Sequence, residues 1–270
     1  MPSLWSRTQE TWEPRIARAQ ELCGSNPASG QLMNLYYHVL RFQATICDDV
    51  SAETTSSLDP SNFRSALDLR RAVSAAPRLA TVVTESGPAV LAAELKPWSE
   101  ASPERLQAAL QDWLAADNPP VSTISFIARA LLEPQAEFLA ASRNLPPPAS
   151  VGNRCPACGS APQLAVIRPE GDGGKRLLLC FLCHTEWEFR RVLCPNCSET
   201  DHEKLPRYST PDFPAVRVEA CDTCRTYLKS VDLTVDGHAV PLVDEIAAAS
   251  LDLWAAERNY HKLVANLVGF

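Results

Sequence analysis

The sequence predicts an α+β chain: an all-α N-terminal domain, then two small four-cysteine β modules, then a C-terminal helix. Three observations carry that prediction. Apolar residues recur at helical spacing up to about residue 143. Three successive prolines, Pro146–Pro148, then interrupt the chain. Beyond them, eight of the ten cysteines fall between Cys155 and Cys224. The expected division is an α-helical domain at 1–143, a proline-rich linker at 144–153, a first four-cysteine module at 154–192, a second at 193–232 and a C-terminal helix at 233–270.

In the N-terminal part, Leu32, Leu35, Tyr36, Val39, Ile46, Cys47 and Val50 make one buried helix stripe, with polar Gln43 as its exception. Further helices are expected at about 12–23, 62–75, 78–95, 103–116 and 122–141. Ser102-Pro103-Glu104 reads as an N-cap, a first-turn proline and a first-turn acid. Pro134 should kink or divide the last of these helices. Cys23 and Cys47 read as small buried hydrophobes.

The linker Asn144–Asn153 cannot continue a helix, because its prolines hold an extended, semi-rigid backbone. After it the period changes. Strands are expected at Leu164–Arg168, Arg176–Leu179, Glu186–Val192, Ala215–Glu219 and Tyr227–Val231, with a turn over Glu170–Lys175. A last helix should run from Pro241 to about Lys262, with Asp244 and Glu245 as solvated complements to its dipole.

The cysteines carry the chemistry. Cys155/Cys158 is followed after 21 residues by Cys180/Cys183, and Cys194/Cys197 after 23 residues by Cys221/Cys224. Two residues between cysteines form a tight knuckle that aims both sulfurs at one point, and two knuckles on neighbouring hairpins supply a tetrahedron of thiolates. All eight are therefore expected as metal ligands in zinc-ribbon or rubredoxin-like modules. Pairing the first knuckle with the second and the third with the fourth keeps each module contiguous; an interleaved pairing stays open. The donor set suits zinc or a single iron, and the sequence does not choose between them. Redox dithiols fit less well, since no βαβ unit accompanies any pair. His184 reads as a half-exposed turn residue, and Trp187, Phe189 and Tyr227 as shields of the knuckles.

Charge argues against a nucleic-acid partner. The chain carries a net charge of −7, and residues 151–232 hold eleven basic and eleven acidic residues. Phosphate binding needs clustered Lys and Arg. The local pairs Lys175-Arg176 and Arg190-Arg191 read as solvated strand edge. A zinc-ribbon module acting on nucleic acid or the transcription machinery is the alternative function, and a rubredoxin-type electron carrier a third. No arrangement of catalytic side chains is visible, so the chain is not expected to be an enzyme. No run of about 18 apolar residues suggests a membrane span, and Met1–Glu10 lacks a secretory h-region, so the cytoplasm is expected. A homodimer is left open.

Four segments together resemble the formate dehydrogenase accessory protein family (FdhE). They are Arg154–Ser160, Leu178–Trp187, Leu193–Cys197 and Ala220–Asp232, the last including Cys-Asp-Thr-Cys continuing into Tyr-Leu-Lys-Ser. The tail Val240–Glu257 is also similar, and the helical part more loosely, around Trp12–Leu22 and Gln31–Gln43. The sequence departs from the family pattern after three knuckles, where His184, Ser198 and Arg225 stand in the place of glycine. The resemblance implies a cytoplasmic assembly factor, not a catalyst, with an α-helical domain and iron-bearing rubredoxin-like modules. It implies a client, the catalytic subunit of a membrane-associated or periplasmic formate dehydrogenase, met before export. It also suggests a redox or quality-control step at that client.

Overall fold

The computed structural model describes residues 4–24, 30–51, 63–142 and 152–270, and almost all of the expected linker, 144–153, lies outside them. The chain divides into two compact units, one of Met1–Asn144 with Leu267–Gly269 and one of Leu145–Asn266 with Phe270.

The first unit contains α1 (Leu4–Cys23), α2 (Gly30–Ser51), α3 (Leu69–Ser86), α4 (Ala89–Ser99), α5 (Pro103–Ala115) and α6 (Thr123–Ala141). α6 is its axis: every residue from Phe126 to Ala140 is buried, and α2 and α3 pack against it. A helix buried all round must satisfy its polar residues internally. Gln43, the exception on the α2 stripe, is buried and donates to the Arg129 and Ala130 carbonyls and to Glu133. Arg129 pairs with Glu133 one turn on, and Arg15 of α1 grips Glu137 with two bonds of 2.8 Å. Burial pulls the Arg15 guanidinium down, but Glu137 outweighs it and holds its pKa above the ordinary value. Glu137→Ala therefore strands a cation whose side chain is 11% exposed, and should cost ~3 kcal/mol or more. A urea melt of the helical unit that moved by less than about 1 kcal/mol would refute the pairing as a support.

Helix ends follow local chemistry. Asp68, Ser102 and Ser122 each accept an N–H three residues on. Two expectations need correction, and one resolves to a continuous helix. The breaks expected between 62–75 and 78–95 do not occur there: α3 runs through Pro77 and stops at Ser86, before Gly87-Pro88. Pro77 is exposed, so the carbonyl it leaves unbonded can turn to water. Only a short 3-10 turn, Arg64–Ala66, precedes α3. Pro134 does not divide α6. Cys47 is buried, whereas Cys23 is only half-buried.

The second unit holds β1 (Pro162–Glu170), β2 (Gly173–Cys180), β3 (Glu186–Glu188), β4 (Arg207–Ser209), β5 (Val216–Ala220), β6 (Thr226–Asp232), α7 (Pro241–Ala247), α8 (Ala249–Glu257) and β7 (His261–Lys262). All strands belong to one mixed sheet of order β3-β2-β1-β6-β5-β4, with β7 added to β6. Each half contributes knuckle, strand, strand, knuckle, strand. The halves join where β1 of the first lies parallel to β6 of the second, Leu164 opposite Lys229 and Val166 opposite Val231. The modules thus follow one another across a shared sheet, not as separate leaves.

Alternation gives the sheet two different faces. Leu164, Val166, Val218, Tyr227 and Val231 point to α7 and α8 and build the core with Leu242, Ala248 and Leu251. The single helix expected after Pro241 is two short helices meeting at Ala248, whose ψ of 35° leaves the helical region. The chain then turns at Asn259 (φ +59°) and adds β7 as a parallel strand. β3 is three residues long, shorter than the expected Glu186–Val192, because Arg176 accepts only one further ladder bond, from the Phe189 N–H to its carbonyl.

Candidate metal centres

The eight sulfurs gather into two groups of four, Cys155/Cys158/Cys180/Cys183 and Cys194/Cys197/Cys221/Cys224, each with all its sulfurs within 4.8 Å of one another. Contacts run 3.4–3.5 Å in the first group and 3.6–3.7 Å in the second. A disulfide needs about 2.05 Å, and all ten cysteines are free. A tetrahedron with zinc–sulfur bonds of about 2.3 Å has edges of about 3.8 Å. The donor set and spacing therefore fit one thiolate-bound ion per group, zinc or iron. Such an ion would cross-link the two knuckles that flank one strand pair and, if iron, could also change charge by one electron.

Local backbone chemistry builds the knuckles. In each, the N–H of the first cysteine donates to the carbonyl five residues on: Ser160, Thr185, Glu199 and Thr226. The residue after the second cysteine takes a positive φ in all four: Gly159 (73°), His184 (53°), Ser198 (63°) and Arg225 (58°). The departures from glycine thus keep the left-handed turn, at a steric cost of roughly 1–2 kcal/mol each. Arg225 is braced for it: its carbonyl accepts from His261, and its guanidinium bonds Asp222 and lies 3.9 Å over the Tyr260 ring.

Sulfur electrostatics follow from crowding. Hydrogen bonds from Cys155, then Cys180 and Cys183, drive Cys158 far below the ordinary thiol value, while burial drives Cys180 and Cys183 up. In the second group burial pushes Cys197 to about 12. Burial also works against Cys224, but the Thr226 hydroxyl and then Asn196 outweigh it and bring that thiol to about 6. A cation at the centre removes this competition by holding all four as thiolates.

Sequence reasoning missed two things here. Thr185 and Thr226 place hydroxyls 3.2 Å from Cys183 and 2.9 Å from Cys224. They were legible as a repeat, Cys-x-x-Cys-x-Thr in both modules. It also missed a buried ionic cluster. Lys229 of β6 is wholly buried and meets Glu245 at 3.0 Å and Asp252 at 2.5 Å. Lys262 contacts both acids, Asn266 donates to Glu245, and the Tyr227 hydroxyl donates to Asp252 at 2.8 Å. Glu245 is therefore no solvated dipole complement: it is fully buried, and Asp244, also buried, instead accepts the Val240 N–H. Burial alone would raise the Glu245 pKa, yet Lys229 and Lys262 hold it near about 2. Burial and Asp252 push the Tyr227 phenol well above its ordinary value, keeping it a donor.

Comparison with known proteins places this architecture. Protein FdhE of Escherichia coli O9:H4 (strain HS) is 30% identical over 287 residues, an alignment covering 98% of this chain and 90% of the relative. The chain belongs to the FdhE family. The family's central domain matches residues 154–191 and its C-terminal domain residues 192–268. A Protein FdhE homolog of Aquifex aeolicus (strain VF5) is 26% identical over 257 residues, 90% of each chain. The crystal structure of the FdhE protein from Pseudomonas aeruginosa matches with a TM-score of 0.74 at 26% identity, over 99% of this chain and 96% of that one. The ionic cluster gives two FdhE-like stretches a shared physical purpose. Tyr-Leu-Lys-Ser after the last knuckle supplies Tyr227 and Lys229, and the similar tail supplies Glu245 and Asp252. Among the described residues no helix is long and apolar enough to cross a membrane.

Proposed function

We propose that the chain is a cytoplasmic accessory factor for the maturation of formate dehydrogenase, and that it binds the catalytic subunit of that enzyme. It works by binding a client, not by catalysis. The eight cysteines, Cys155, Cys158, Cys180, Cys183, Cys194, Cys197, Cys221 and Cys224, are its metal ligands, two ions per chain, iron or zinc. In this reading 1–143 is the helical docking domain, 144–153 the spacer, 154–192 and 193–232 the metal modules, and 233–270 the clasp that closes the second module. The observation that carries it is a pair of thiolate tetrahedra assembled on one sheet in a member of the FdhE family. The test is capture of the tagged chain from its anaerobically grown host, with partners identified by mass spectrometry. A formate dehydrogenase catalytic subunit should be enriched with the wild type and lost with Cys194→Ser/Cys197→Ser. Its absence from the wild-type capture would overturn the reading.

A further inference from the structure

The sheet face turned away from α7 and α8 is not a plain solvated surface. Arg217 and Glu219 on β5, Asp232 on β6 and Arg176 on β2 all fall on this second face by strand alternation and register. With Arg191 and Arg207 they line a cleft of about 220 Å³. Arg176, expected at a solvated strand edge, is in fact 4% exposed. It bonds Glu219 at 2.7 and 3.0 Å, the Arg190 carbonyl at 3.1 Å, and lies over the Phe189 ring. Burial alone would raise Glu219, but Arg176, helped by the more distant charge of Arg207 opposite it on β4, outweighs burial and keeps the pKa below the ordinary value. Arg217 is likewise matched, to Asp232 at 2.8 Å.

Arg191 and Arg207 are different. Both are exposed, and among the described residues neither lies within ion-pair distance of a carboxylate. Each is held instead by a backbone carbonyl: Arg191 donates to Gly174, and Arg207 to Arg191 at 2.8 Å. A guanidinium has five N–H donors, so each keeps donors to spare beyond the one that holds it to the backbone. The cleft sets four guanidinium groups against three carboxylates, those of Asp172, Glu219 and Asp232. That leaves the cleft one positive charge in surplus, and two neighbouring guanidinium groups with unused donors are an arrangement that binds an oxyanion. Arg176, Arg191 and Arg207 also line an adjoining recess that reaches Cys194 and Cys221.

We propose that this cleft is an oxyanion site, in which Arg191 and Arg207 together hold a carboxylate or phosphate group beside the second cysteine cluster. The oxyanion comes either from a free phosphate or from an acidic segment of a polypeptide. The site does not depend on the identity of any client.

Calorimetry on the metal-loaded full chain tests it with two titrants, inorganic phosphate and a blocked tri-aspartate peptide. Heat with phosphate supports a small-anion site, and heat with the peptide alone supports a polypeptide source. Arg191→Gln/Arg207→Gln should weaken whichever binds by about tenfold or more, while Lys204→Gln, outside the cleft, should leave it unchanged. Neither titrant binding, or undiminished binding by the double variant, overturns the proposal. If that variant fails to fold, the wild type still decides. The ¹⁵N-detected Nε–H signals of Arg191 and Arg207 should shift on titration, and their staying fixed overturns it equally.

Discussion

Lys229→Met should be among the most destabilising single changes in the second unit, by ~3–5 kcal/mol. The methionine fits the volume, so the cost is electrostatic. Glu245 and Asp252 would be left with Lys262 alone, inside a core where Lys229 and Glu245 have side chains 0% exposed. An uncompensated buried charge is far more destabilising than a buried pair. Removing the acid as well, in Lys229→Met/Glu245→Leu, restores one cation and one anion, so the double variant should be less than additive by ~2 kcal/mol or more. Hydrogen exchange at the β6 amides reads this directly. The pH dependence gives an independent sign. Glu245 has a folded pKa near about 2 against an ordinary 4.5. A depressed carboxylate stabilises fully above its unfolded value and loses that contribution as pH falls from there through the folded value, here about 3 kcal/mol in all. The gap between wild type and Lys229→Met should therefore close as pH drops from 4.5 toward 2. A gap under about 1 kcal/mol at neutral pH, or one that widens in acid, would show that the cluster is not the clasp.

Local features were legible in the sequence and long-range ones were not. Each knuckle is closed within six consecutive residues, so Cys-x-x-Cys spacing revealed them, and the α2 stripe was visible because one face repeats over about six turns. The parallel join of β1 to β6 depends on residues far apart in the chain, Leu164 and Lys229, and no turn signal marks it. β4 and β7 are three and two residues long, too short for any period. Charged residues misled for a related reason. Arg176, Lys229 and Glu245 look solvated in sequence, since the partners that permit their burial lie 43, 16 and 17 residues away. The break expected between 62–75 and 78–95 is absent because the exposed Pro77 sits within a helix whose other face is packed.

Chelation should strip the two centres in order, the second before the first. A chelator reaches a thiolate-bound ion through whichever sulfur can be exposed by local opening. In the first cluster Cys155, Cys180 and Cys183 are buried and Cys158 half-buried; in the second Cys197 is exposed and Cys224 half-buried. A chromogenic chelator should therefore record two phases of about one ion each, separated by roughly tenfold in rate, which is about 1.4 kcal/mol of opening. Cys197→Ser should remove the fast phase and leave the slow one. Loss of both ions should dissolve the shared sheet, because each ion ties together the two knuckles of a module whose own strands are three to nine residues long. The helices of the first unit contain none of the eight ligands, so their far-ultraviolet signal should survive. A single phase, or a fast phase that persists in Cys197→Ser, would mean that exposure of that thiol does not govern release. Collapse of the helical signal together with the sheet would mean that the two units do not hold their folds independently.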